Sequence, residues 1–311
     1  MTHMETFGSA DPVRVHANFK RSMALNTSTR AYTTGSTTSA DGTTIGYRQI
    51  GNGPDLILLP GGFQASQHYM RLATALASAF TVSVLDRRGR GPSGPHGDQY
   101  GMTKECEDVD ALLTETGAHF VFGHSSGGLI ALQAALTLSS VRKVAVYEPP
   151  LSQHGSISTS WIPRFDREVA EGKPASALIT FIKGDNLSRL PRWLLLPLLK
   201  WYLQKEKQTL GPNDVPMEAL IPTQRFDGLL VKEMDGSLES FAGMRADVLL
   251  LGGAKSPAFL RDVLDALNHT LPHVKRIEYP NFDHSVPNQS RPNQKGPERI
   301  AGDLRAFFSQ S

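Results

Sequence analysis

Ser125 lies in Gly123-His124-Ser125-Ser126-Gly127, where an apolar run, His119 to Phe122, breaks and restarts as the stretch Ser126 to Leu138. The run reads as a short buried strand. After the glycines, the following stretch is apolar on every face except at Gln133 and Thr137, as expected of a helix enclosed by a core. Joining strand to helix in so few residues needs a sharp turn that strains its central residue. Gly123 and Gly127, lacking Cβ, let the helix and the adjoining strand approach closely, and the serine hydroxyl is left exposed above the sheet. This is the nucleophile-elbow pattern G-x-S-x-G in a strand-turn-helix setting. Its chemistry is covalent: the hydroxyl attacks an electrophile, a base takes its proton, and an acid orients the base.

Elements on both sides of the elbow must position those partners. The 311 residues suggest one large or two small domains, with enough chain for a core that needs no disulfide or metal. Lys and Arg number 32 against 30 for Asp and Glu, so a net charge of +2 gives no electrostatic reason to expect nucleic acid or an anionic surface. The single Cys106 fits a reducing compartment, and no apolar run near the N-terminus suits a signal peptide. Cytoplasm is therefore expected. Residues 1–30 are polar and aperiodic and read as an N-terminal arm.

From Thr33 two strands joined at Asp41-Gly42 are expected as a hairpin, followed by a strand at Leu56 to Leu59 that ends in Pro60-Gly61-Gly62-Phe63. A helix (Ser66 to Ala77), a strand (Phe80 to Leu85), the loop Asp86 to Gly94 and a helix (Thr103 to Glu115) lead to the elbow, and Val141 to Tyr147 follow as a strand. This alternation argues an α/β class with a parallel sheet whose ligands sit at the carboxyl ends of its strands. It stops after Glu148-Pro149-Pro150. Residues 151–240 hold no clear strand and read as a helical cap, and strands resume at Asp247 to Gly252 and Lys275 to Tyr279. Pro257 to Asn268 and Pro297 to Phe308 read as helices, the second with proline at its start. The segment LPRWLLLPLLKWYLQKEK is broken by Arg192, Pro197 and Lys200, so no stable membrane span is expected.

Gly61-Gly62-Phe63, the run Asp86 to Ser93, the elbow around Ser125 and Asn281-Phe282-Asp283-His284 occur in an order and spacing that resembles the α/β-hydrolase superfamily. The resemblance covers nearly all of Thr33 to Phe308. It implies a mostly parallel eight-stranded sheet flanked by helices, built from residues 31–150 and 241–311, with the cap of 151–240 inserted after the sixth strand. It also implies Ser125 as nucleophile and His284, in the loop after the last strand, as base. The acid that many members carry after the seventh strand is absent, since Ala254, Lys255 and Ser256 stand there. As in some relatives with caps, Glu148 at the end of the sixth strand is the acid expected, with Asp283 and Asp262 the weaker candidates. A carboxylate between an apolar strand and two prolines needs a partner to offset its desolvation, and a histidine N–H suits it.

The family builds its oxyanion hole from backbone, here the N–H groups of Ser126 and Phe63, or Gly62 if the register slips. Each such donor is worth about 2.7 to 4 kcal/mol of transition-state stabilisation. Asp86 and the arginines of its loop read as structural ties, with a substrate carboxylate on Arg88 or Arg90 as the alternative. Trp193, Trp201 and His124 are assigned to the substrate pocket, although neighbours on a tight elbow diverge and the His124 ring is expected to turn into the sheet–helix packing. The expected ligand is a small molecule with an apolar acyl or alcohol part, with no metal or cofactor, and a homodimer is the assembly considered. The expected activity is hydrolysis of an ester, thioester or lactone through an acyl-enzyme. Other readings are acyl transfer, carbon–carbon hydrolysis or perhydrolysis on the same residues, and a weakly catalytic ligand-binding relative.

Overall fold

A computed structural model describes residues 32–184, 190–288 and 295–310, so the arm expected at residues 1–30 lies outside the described residues. Eight strands form one sheet: β1 (Thr33–Thr38), β2 (Thr44–Gly51), β3 (Asp55–Leu59), β4 (Thr81–Leu85), β5 (Phe120–His124), β6 (Lys143–Tyr147), β7 (Asp247–Gly253) and β8 (Val274–Tyr279). Their order is β1-β2-β4-β3-β5-β6-β7-β8. The β1–β2 and β2–β4 pairs are antiparallel and the others parallel. Asp41-Gly42 turns the first hairpin, with Gly42 at φ 84°. Strands β3, β5 and β6 are buried on both faces over their last four residues, which is why they read as continuous apolar runs.

Helices α1 (Met70–Leu76), α2 (Met102–Thr116) and α3 (Ser126–Thr137) connect the strands up to β6. The expected helix from Ser66 begins as a single 3-10 turn, Ser66–Tyr69, pinned where Asp86 Oδ1 accepts the Ser66 N–H at 2.6 Å. Between β6 and β7 lie α4 (Ile162–Ala170), α5 (Pro174–Gly184), α6 (Arg192–Lys207), α7 (Met217–Leu220) and α8 (Gln224–Glu233), with no strand among the described residues. Helices α9 (Ala258–Thr270) and α10 (Gly296–Phe308) complete the chain. One apolar layer holds α2, α3 and α9 against the sheet, a second holds α1 and α10, and a third lies within the inserted helices around Trp161 and Phe165. No helix of the described residues is long and apolar enough to cross a membrane. Cys106 is buried on α2, where burial pushes its thiol up to about 12.

The loop after β4 fastens the inserted helices to the sheet. Arg87 pairs with Glu105 of α2 at 2.7 Å and with Asp227 of α8 at 2.6 Å, and Arg90 pairs with the other Asp227 oxygen at 2.7 Å. All four side chains are buried. Burial alone would raise the Asp227 pKa, but the two guanidiniums outweigh it and hold the carboxyl below its usual value. Arg88 bonds Asp108 and Asp41, each at 2.7 Å. The arginines are therefore structural ties. The alternative of a substrate carboxylate on Arg88 or Arg90 is overturned, because their guanidiniums are already committed to buried protein acceptors.

Removing one member of a buried ion pair leaves its partner charged and unmatched. Asp227→Ala strands two arginines at once and is expected to cost about 3–5 kcal/mol of folding free energy. Urea unfolding checks it: a midpoint equal to the wild type's would contradict the account.

Candidate active site

The elbow has the geometry its residue types require. Ser125 sits between β5 and α3 at φ 53° and ψ −126°, a conformation that costs a non-glycine residue on the order of 1–3 kcal/mol. Surrounding contacts enforce it: the Ser125 N–H donates to the Tyr147 carbonyl at 2.9 Å, and its own carbonyl accepts from Gly128 and Leu129. A Cβ on Gly123 would stand 2.2 Å from the Gly127 carbonyl oxygen, and one on Gly127 would stand 2.3 Å from that of Leu59. Any side chain at either position would push the helix off the sheet.

Glu148 follows β6, fully buried at φ 50°. Its Oε1 accepts the Gly253 N–H at 2.7 Å, and its Oε2 lies 2.7 Å from His284 Nδ1. Of the three carboxylates weighed in the sequence, Glu148 is the one beside the imidazole. Asp283 turns to the backbone N–H and hydroxyl of Ser285, and Asp262 is exposed on α9. The end of β7 holds glycine for a steric reason. A Cβ on Gly253 would meet the Phe282 carbonyl at 2.2 Å, so the strand that carries no acid instead lets the histidine loop close in. The sequence reading missed the Gly253 N–H, whose only signal was the Gly252-Gly253 pair.

His284 is held by its backbone as well as its ring. The Tyr147 hydroxyl donates to the Asp283 carbonyl at 2.9 Å, and His124 Nε2 donates to the His284 carbonyl at 2.8 Å. That donation leaves His124 Nδ1 as the acceptor facing the Tyr69 hydroxyl at 2.6 Å. Burial first, and the neighbouring His284 second, pull the His124 pKa well down, so the ring is neutral. His124 is 1 % exposed and does not line the cavity, so its assignment to the pocket is corrected. The elbow's divergence turned its ring into the packing beneath.

Ser125 and His284 open on one cavity of about 730 Å³, together with Gly62, Phe63 and Ser126. Among the described residues the Ser125 hydroxyl makes no hydrogen bond with His284, in keeping with catalytic contacts that tighten only around a ligand. Phe63 has φ 57°, and no protein acceptor among the described residues takes the N–H of Phe63 or Ser126. This turn is braced by Arg90, whose Nη1 donates to the carbonyls of Gly61 at 2.7 Å and Gln64 at 3.0 Å.

Trp193 and Trp201 do not line this cavity. They are 72 % and 47 % exposed on α6, which buries Leu195 and Leu203 instead. Their assignment to the pocket is corrected: α6 is apolar around most of its circumference, so its composition could not say which face turns inward. The apolar wall comes from Phe63, Trp161, Phe181, Tyr202, Leu210 and Met217. Trp161, missed in the sequence, carried one signal, the Trp161–Phe165 spacing of a buried helix face. Gln224, also missed, is 6 % exposed and lines the cavity with Oε1 buried and, among the described residues, without a partner, an omission that costs about 1–3 kcal/mol. A strained serine, an imidazole, a buried carboxylate and two outward N–H groups on one apolar cavity can carry out acyl transfer.

Residues 56–295 match a family described as "Alpha/beta hydrolase family". The chain is similar to N-formylmaleamate deformylase of Pseudomonas putida, 33% identical over 130 residues that cover 40% of this chain and 48% of the relative. It is also similar to a pimeloyl-[acyl-carrier protein] methyl ester esterase of Aeromonas hydrophila, 36% identical over 94 residues covering 30% of this chain and 36% of the relative. The matched stretches thus span less than half the length of these curated relatives. Among solved structures, an alpha/beta hydrolase from Sphaerobacter thermophilus is similar at 29% identity and TM-score 0.71, over 88% of this chain and 100% of that one. The enol-lactonase of Burkholderia xenovorans shares the fold at 17% identity and TM-score 0.61, over 89% and 100%.

His124→Leu leaves the buried His284 carbonyl without its donor, while the Tyr69 hydroxyl can turn to Gln64 Oε1. It is expected to lower folding stability by about 1–3 kcal/mol. A thermal melt superimposable on the wild type's would contradict that role.

Proposed function

Since the chain belongs to the alpha/beta hydrolase family, we propose that it is a serine hydrolase acting on an ester, thioester or lactone through a Ser125-His284-Glu148 triad. The observation that carries this reading is the 2.7 Å contact between His284 Nδ1 and the buried Glu148 Oε2, in the cavity that holds Ser125 on its strained turn. Glu148 holds the Nδ1–H tautomer, leaving Nε2 as the base. Ser125 Oγ attacks the carbonyl as Nε2 takes its proton, and Glu148 stabilises the imidazolium that forms. The oxygen that gains negative charge is received by the N–H groups of Phe63 and Ser126, the latter at the positive end of α3. The imidazolium then protonates the leaving group. Water, deprotonated by His284, releases the acid from the acyl-enzyme.

The cavity supports a neutral substrate with an apolar acyl or alcohol part, since aromatic and aliphatic side chains dominate its wall and no lysine or arginine lines it among the described residues. The names of the relatives support a carbonyl electrophile: one is a methyl ester esterase and another a deformylase. The helices of residues 151–240 serve as the cap that encloses the substrate, and the buried single cysteine suits work in the cytoplasm.

A fluorophosphonate probe is expected to label the wild type and to leave Ser125→Ala unlabelled; labelling that survives in the variant sinks the nucleophile assignment. Glu148→Gln is expected to lower kcat on a p-nitrophenyl ester by about a hundredfold or more, through loss of the carboxylate that orients the base. Near-normal turnover would return that role to another group.

A further inference from the structure

Four polar side chains of the cavity wall are at least nine-tenths buried: Gln64, Ser126, Asp227 and Gln224. Three are engaged by the protein. Gln64 Oε1 accepts from the Gly61 N–H, Ser126 Oγ accepts from Arg87, and Asp227 is shared by Arg87 and Arg90. Gln224 is not, for its Oε1 is buried with no donor among the described residues.

Its position is fixed rather than incidental. Gln224 opens α8, the helix that Asp227 pins to the loop after β4. The edge of its amide meets Gly62, where an added Cβ would come within 2.3 Å of Oε1 and 3.1 Å of Nε2. Gly62 and Phe63 form the turn assigned above to the oxyanion hole, so this amide sits beside the place where the reacting carbonyl would bind. The last side-chain torsion of glutamine is soft, so the amide can present either its carbonyl or its NH2 to the cavity. A hydroxyl both donates and accepts, and so matches either orientation.

Resting on the serine-hydrolase reading, we propose that Gln224 is a substrate-contacting specificity residue. It binds a hydroxyl or second carbonyl carried on the acyl group within one or two carbons of the scissile carbonyl, and so selects oxygenated acyl groups over plain alkyl ones. The free enzyme leaves the amide unsatisfied, and the right substrate satisfies it. A substrate lacking that oxygen leaves it unpaired and is penalised through the whole reaction.

The test compares methyl 2-hydroxyhexanoate with methyl hexanoate, by pH-stat, on wild type and Gln224→Leu. The wild type is expected to favour the hydroxy ester in kcat/KM by about tenfold or more, and the variant is expected to bring the ratio of the two kcat/KM values close to one. Gln224→Leu is also expected to melt at or above the wild-type temperature, because it removes a buried unpaired group. A wild type without the preference, turnover of neither ester included, overturns the proposal, as does a variant that keeps the preference or loses both activities together. Fluorophosphonate labelling of Ser125 in both proteins separates these failures from failure of the hydrolase reading, which alone would abolish labelling in the wild type.

Discussion

The buried pairing of Asp227 with Arg87 and Arg90 is the interaction on which the rest of the site depends. It joins parts of the chain that are distant in sequence: the loop after β4, the last helix of the insert and, through Arg87 to the Ser126 hydroxyl at 3.1 Å and Arg90 to the Gly61 carbonyl at 2.7 Å, the elbow and the turn after β3. Ions buried this deeply are costly to desolvate, and their mutual pairing offsets that cost. The pairing ties the inserted helices to the loop after β4. The cavity lies between those helices and the turn around Ser125.

A second constraint is strain. Among the described residues, four that are not glycine have positive φ, and three of them are Phe63, Ser125 and Glu148. Each follows the carboxyl end of a parallel strand; Phe63 and Ser125 line the cavity, and Glu148 is buried against His284 and Gly253. Hydrogen bonds from rigid neighbours, Ser125 N–H to Tyr147 and Glu148 N–H to Leu251, hold two of these conformations. The core supplies the stability that such local strain consumes.

The position of Glu148 shows how the lack of a carboxylate after β7 is accommodated. With no carboxylate after β7, the strand ends in glycine and admits the backbone of the histidine loop, while Glu148 reaches His284 from the neighbouring strand. The Gly253 N–H then satisfies the second carboxylate oxygen. The two strands are adjacent in the sheet, so a carboxylate at the end of β6 reaches the same imidazole.

The sequence by itself determined the strands and the elbow, and marked Ser125, Glu148 and His284 as residues to be brought together. These follow from local rules: apolar periodicity, glycine where no Cβ fits, and a buried carboxylate that needs a partner. Only the tertiary structure decided which side chains meet in the cavity. Trp193 and Trp201 read as pocket residues by type yet face outward, while Trp161, Tyr202 and Gln224 face in. The orientation of the inserted helices is set by long-range contacts, chiefly Asp227 on two arginines nearly 140 residues earlier, and Gln224 shows no local pattern to mark it. Local preference fixes what an element is; the balance of buried charge and packing between distant elements fixes which way it turns.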